Sequence, residues 1–138
     1  MQQVLVQIKE ILLNQKCVAI ISHNNPDGDT LGSQLALAGA LGEAGVDSIL
    51  INNDKISEKY HFVAGSTNIR PYNGDMEIPQ VVVFVDCADL ELAGCNAHTE
   101  FLKGRTIINI DHHTSNKQYG HVNYVKGEAA ANCQNMYE

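Results

Sequence analysis

Seven residues of this chain could do together what none could do alone. His23, Asp27 and Asp29 stand in the run HNNPDGD, Asp86 closes QVVVFVD, and Asp111, His112 and His113 close TIINIDHH. Each set follows directly on a short apolar run. If the three segments meet, their carboxylates repel and raise one another's pKa unless cations neutralise them. Divalent metals solve that problem. Imidazole combined with carboxylate suits Mn, Fe, Co or Zn, whereas Mg and Ca prefer oxygen-only sites. The ligand count is large for one ion and suits two, roughly 3.5–4 Å apart and sharing a carboxylate. Asp86, alone at its strand end, is the natural bridge.

The elements that position these residues follow from periodicity. Val4, Ile8, Ile11 and Leu12 repeat at helical spacing and predict a helix over 3–13. CVAIIS, residues 17–22, is a buried strand rich in β-branched residues. Leu31, Leu35, Ala38, Leu41 and Gly42 share a face and predict a helix over about 30–44, with Gly45 as its stop. Further strands are expected at 46–52, 80–86, 106–111 and 121–125. Residues 80–86 are apolar on both faces, as the centre of a parallel sheet would be. Short helices are expected at 57–63, with Ser57 as N-cap, within 90–102, and from Glu128 onward. Residues 65–79, with two Pro and two Gly, read as loop. The alternation implies an α/β fold with a mostly parallel sheet flanked by helices. In such a sheet the strand ends face one edge, where ligands bind.

Each residue also has an ordinary explanation. A lone Asp at a strand end commonly caps a helix, P-D-G-D is a common turn, and a His pair is often a surface feature. Convergence of three segments on one sheet edge outweighs these readings. His61, His98 and His121 lack such a setting and read as surface or partly buried residues. Asp47, Asp54, Asp75 and Asp89 read as solvated or turn residues, with a minor site role open for Asp89. Gly28 stands between two candidate ligands, where the backbone must bend. Gly32 and Ser33, near a helix N-terminus, are candidate phosphate-binding residues, with close packing the equal alternative for Gly32.

The 138 residues fit one domain, 1–138. A net charge of −7 gives no long-range attraction to nucleic acid and argues against a long duplex partner. A short anionic substrate is compatible if bound cations offset the charge. The four Cys form no C-x-x-C pair and read as reduced thiols in a cytoplasmic protein. No basic leader precedes an apolar run, and no stretch nears the roughly 20 apolar residues that cross a bilayer.

SHNNPDGDTLGS at 22–33, VDCAD at 85–89 and NIDHH at 109–113 resemble the DHH phosphoesterase superfamily. Within it, they look most like the oligoribonuclease (nanoRNase) and 3′-phosphoadenosine-5′-phosphate phosphatase group, as does VNYVKGEAAANCQ at 122–134. The resemblance implies a Rossmann-like three-layer N-terminal domain that hydrolyses phosphoester bonds of short oligoribonucleotides or nucleotides. It implies His23 and Asp27 on one metal, Asp29 and His112 on the other, and Asp86 bridging. His113 would face the scissile phosphate and Asp111 would orient a neighbouring histidine. The implied cofactors are two divalent ions, Mn²⁺ first, with Mg²⁺ or Co²⁺ as alternatives; a homodimer is compatible with it. Lys126-Gly127 departs from the acidic residue and Pro frequent there. The family's further motif Asp and its C-terminal substrate-gripping domain have no counterpart in these residues. The expectation is therefore of a fragment with an incomplete second site and little activity alone. Competing readings are a cyclic dinucleotide phosphodiesterase, a family II inorganic pyrophosphatase, or a catalytically incomplete nucleotide-binding module.

Overall fold

The structure, a computed structural model, describes residues 1–93 and 100–138. Its elements run α1 (Gln2–Leu13), β1 (Cys17–Ile21), α2 (Gly28–Glu43), β2 (Asp47–Ile51), β3 (Val81–Val85), β4 (Thr106–Asp111), β5 (Val122–Val125) and α3 (Asn132–Tyr137). The strands form one sheet in the order β2-β1-β3-β4-β5, and each neighbouring pair is parallel. The fully buried β3 is its centre, as a run apolar on both faces requires. The chain leaves β1 toward one edge and β3 toward the other. Strand order therefore reverses between β1 and β3, the place where open α/β sheets bind ligands.

The period of two along each strand divides the core. Val18, Ile20, Val83 and Ile108 face the layer of α1 and α2, meeting Ile8, Leu12, Leu31 and Leu41. Ala19, Ile21, Val82 and Phe84 face the other way, toward Ile78, Ala93, Phe101 and Leu102. Among the described residues the three α-helices pack on the first face, and turns and loops cover the second. α2 ends as its sequence requires. Gly45 takes a φ of +80°, and the Val46 amide returns to the Leu41 carbonyl at 2.9 Å.

Three expectations change. Residues 57–63 hold only a single 3-10 turn, Glu58–Tyr60, and Ser57 makes no side-chain capping bond, because so short a turn leaves few amides to cap. Residues 65–79 are not wholly loop: Ser66–Asn68 is a 3-10 turn, and Arg70 bridges to Ile51, the last residue of β2. α3 starts at Asn132 rather than Glu128, since the preceding turn folds the Ala129 carbonyl onto His112. The helix expected within 90–102 falls partly on residues 94–99, with Cys95 and His98, outside the described residues; 90–93 form a turn and 100–102 lie in a 3-10 turn. No helix among the described residues is long and apolar enough to cross a membrane.

Candidate metal centre

The loop after β1 is built to hold a shape. Asn52, past the end of β2, donates to the Ser22 hydroxyl at 2.6 Å and to the His23 carbonyl at 2.9 Å. Asn25 sits at φ +52°, and its amide donates to the Asp54 carboxylate. Asp27 then caps α2, accepting from the amides of Asp29 at 2.9 Å and Thr30 at 3.0 Å. The Thr30 hydroxyl, fully buried, lies 2.8 Å from His23 Nε2, 3.0 Å from Asp27 Oδ1 and 2.9 Å from Asp86 Oδ2. One hydroxyl thus meets the His23 ring and two carboxylate oxygens at once.

Asp86 lies just past β3 at φ +54°, a left-handed conformation that Asp tolerates better than most residues. Its amide still pairs with the Ile110 carbonyl at 3.0 Å, which pins the turn. The residue is 2% exposed, and among the described residues its Oδ1 has no hydrogen-bond partner. An orphaned carboxylate oxygen in the interior is costly. His112 Nε2 lies 3.5 Å from it and His113 Nδ1 3.7 Å.

Past β4 the chain delivers both histidines. His112 Nδ1 meets the Ala129 carbonyl at 3.1 Å, so Nδ1 carries the proton and Nε2 presents its lone pair. That nitrogen faces Asp86 Oδ1 and Asp29 Oδ2, each at 3.5 Å. Three acceptors therefore converge with no donor between them. His113 Nδ1 bonds instead to Asp111 Oδ1 at 2.8 Å. The fully buried Asp111 takes a second bond from Asn116 Nδ2 at 2.6 Å. Asp29 spends hydrogen bonds on α3, accepting from the amides of Asn132 at 2.7 Å and Cys133 at 2.8 Å.

The candidate ligands fall into two overlapping groups. His23, Asp27 and Asp86 bring ligand atoms within 4.8 Å of one another, and so do Asp86, His112 and His113. Asp86 belongs to both. Among the described residues no Lys or Arg pairs with Asp27, Asp29, Asp86 or Asp111; the lysine pairs lie elsewhere. An orphaned buried oxygen, converging lone pairs and carboxylates without cationic partners fit divalent cations. The carboxylate of Asp86, 3.6 Å from His23 Nε2, raises the His23 pKa against the opposing effect of burial. Burial alone would push Asp27 up, but bonds from Thr30 and Asp29 more than offset it and hold its carboxyl below the usual value.

Beside the centre lies a cleft of about 330 Å³, lined by His23, Asn24, Asp86, Ala88, Leu92 and His113 among others. Of the residues singled out in sequence, His23, Asp27, Asp29, Asp86, Asp111, His112 and His113 are brought to this sheet edge. Gly32 and Ser33 lie in the α2 turn that packs against α3. Ser33 is fully buried and accepts from Asn132 Nδ2 at 3.1 Å, and a Cβ on Gly32 would stand 2.6 Å from Cys133 Sγ. The α2 turn they occupy is packed against α3, so packing is the reading the structure favours for both. Gly28 needs no positive φ; beside the candidate ligands the positive values fall on Asn25 and on Asp86 itself. Asp89 pairs with Lys117. His61 and His121 are exposed. Thr30 was not singled out, although the D-x-x-T spacing of a capping box marks it. Asn116 and the backbone of 129–133 carried no such signal.

Residues 17–138 match the DHH family, N-terminal domain. No curated protein matches the sequence. Among solved structures, an exopolyphosphatase-related protein from Bacteroides fragilis superposes with a TM-score of 0.88 at 20% identity. The match covers 99% of this chain and 42% of that one. At this identity the likeness speaks to the fold.

Proposed function

The chain belongs to the DHH family by its N-terminal domain, and from that premise we propose that it is the metal-binding part of a phosphoester hydrolase acting on short oligoribonucleotides or nucleotides. The observation that carries this reading is Asp86, a buried carboxylate shared by two ligand groups and left with one oxygen orphaned. His23, Asp27 and Asp86 would hold one divalent cation, and Asp29, His112 and Asp86 the other, with Mn²⁺ first in expectation. His113 is the weaker candidate ligand, because its Nδ1 is committed to Asp111. Two such cations, when bound, would supply a water acidified to near neutral pH and a polarised phosphoryl oxygen.

The protein's own groups do the rest. Asp111, itself held by Asn116, fixes the His113 tautomer, and the His113 ring lines the cleft where a phosphate would sit. There it can donate a hydrogen bond to a phosphoryl oxygen or hold a proton for the leaving group. Leu92 and Ala88 give the cleft an apolar wall. A cleft of about 330 Å³ is at the small end of ligand sites. With a net charge of −7, that size favours a nucleotide or a short strand over a duplex.

The test combines cation titration with turnover. Mn²⁺ binding and Mn²⁺-dependent hydrolysis of a ribodinucleotide or of 3′-phosphoadenosine-5′-phosphate, both lost in Asp86→Ala, would support the reading. Binding without turnover of either would leave the centre standing and agree with the expectation of little activity in these residues alone. Absence of Mn²⁺ binding would overturn the reading altogether.

A further inference from the structure

Resting on that two-cation reading, we infer that the main chain of residues 129–133 is the positioning element of the second half of the site. Asp29 and His112 come from segments far apart in sequence, and one short stretch grips both. The Ala129 carbonyl accepts from His112 Nδ1 at 3.1 Å, which points Nε2 at the centre. The amides of Asn132 and Cys133 donate to the two oxygens of Asp29 at 2.7 and 2.8 Å. These three contacts use the backbone of the stretch, so no residue type announces them; a fourth, from Cys133 Sγ to the Asp29 carbonyl at 3.3 Å, uses a side chain. Each carboxylate oxygen has a further lone pair, so Asp29 is held in place and keeps acceptor capacity for a cation.

The stretch is itself anchored where it must be. Asn135 Nδ2 donates to the Asp111 carbonyl at 3.1 Å, tying α3 to the strand end that carries the histidines. Asn132 Nδ2 donates to the buried Ser33 at 3.1 Å, tying α3 to the first turns of α2. Gly32 makes this close approach possible, since a Cβ there would stand 2.6 Å from Cys133 Sγ. That assigns Gly32 and Ser33 a task in the same machinery: they admit α3, and α3 sets Asp29. Loading of the second half is therefore coupled to docking of α3, while the first half, built from residues 22–30 and Asp86 and held by Asn52 and Asp54, is not.

Two substitutions at one position separate backbone from side chain. Asn132 is the first residue of α3, and Ala131 before it is extended at φ −155° and ψ 156°. Proline is tolerated at such a position and after such a residue. Asn132→Pro removes the amide that Asp29 accepts from, and Asn132→Ala removes only the side chain. Mn²⁺ binding is measured by titration calorimetry, with electron paramagnetic resonance to distinguish a coupled ion pair from an isolated ion. The expected result is two ions and a coupled signal in wild type; Asn132→Ala, which loses the Ser33 anchor but keeps the amide, should retain both ions and weaken the second by less than Asn132→Pro does. In Asn132→Pro the first ion should bind as before, the second should weaken about 10- to 100-fold, the range for loss of a group that orients a ligand, and the signal should become that of an isolated ion. Two unchanged ions in Asn132→Pro, or equal weakening of both, would overturn the inference alone. Fewer than two ions in wild type would overturn the two-cation reading and the inference with it.

Discussion

The two halves of the site are held by different kinds of group. His23 and Asp27 lie in one contiguous loop, and a single buried side chain, Thr30, reaches both of them and Asp86. Asp29 and His112 are gripped by backbone from residues 129–133, and the Asn132–Asp29 bond spans 103 positions of sequence. The first half is thus largely local and forms as the loop caps α2. The second exists only when α3 is docked against α2 and β4. A cation site assembled locally tolerates distant disturbance; one assembled across the fold reports on it.

The largest expected effect comes from removing what the halves share. Asp86→Asn keeps the size and leaves an oxygen for Thr30, but withdraws the negative charge common to both groups. Mn²⁺ binding should fall by more than about 100-fold for both ions, the upper range for lost metal-site groups. The metal-free protein should melt no lower than wild type, because a buried carboxylate with an orphaned oxygen is replaced by a neutral group. Retention of either ion would show that the halves are independent and Asp86 is not their common member. Thr30→Val comes next. It preserves shape and deletes the hydroxyl, so the first ion should weaken about 10- to 100-fold while the second holds, with Thr30→Ser restoring most of the loss. Equal loss of both ions would erase the contrast between the halves.

The same contrast explains what could be read from the sequence. The β3 run could be placed at the sheet centre because five consecutive apolar residues leave no solvent face. The candidate ligands could be gathered because strand ends in a parallel sheet share an edge. The ordinary reading of Asp27 as a helix cap holds, since its carboxylate caps α2, and the same carboxylate lies within the first candidate ligand group. What the sequence could not show was backbone work. The amides of Asn132 and Cys133 are present in almost any residue, so no residue type marks their bond to Asp29. Gly32 was ambiguous because a missing side chain signals close approach without naming what approaches. What approaches it in the structure is Cys133 of α3. The turn at 126–131 delayed α3 for a tertiary reason, since its Ala129 carbonyl is engaged by His112.

The smallest expected effect lies in pH and concerns the first half alone. The Asp86 carboxylate lifts the His23 pKa above its ordinary 6.5, so the metal-free protein holds a proton there more tightly folded than unfolded. That proton contributes stability fully present below about pH 6.5 and lost as pH rises through the higher folded value. A cation competes for the same nitrogen, so binding to the first half should strengthen over the same rise in pH and then level off. Urea unfolding of the metal-free protein across this window, wild type against His23→Gln, should show wild type losing its relative advantage as pH increases. Titrations in the same buffers should show the first ion gaining affinity. A stability difference between the two proteins that does not change with pH would mean that Asp86 and His23 are not coupled in solution, and the local wiring of the first half would then rest on Thr30 alone.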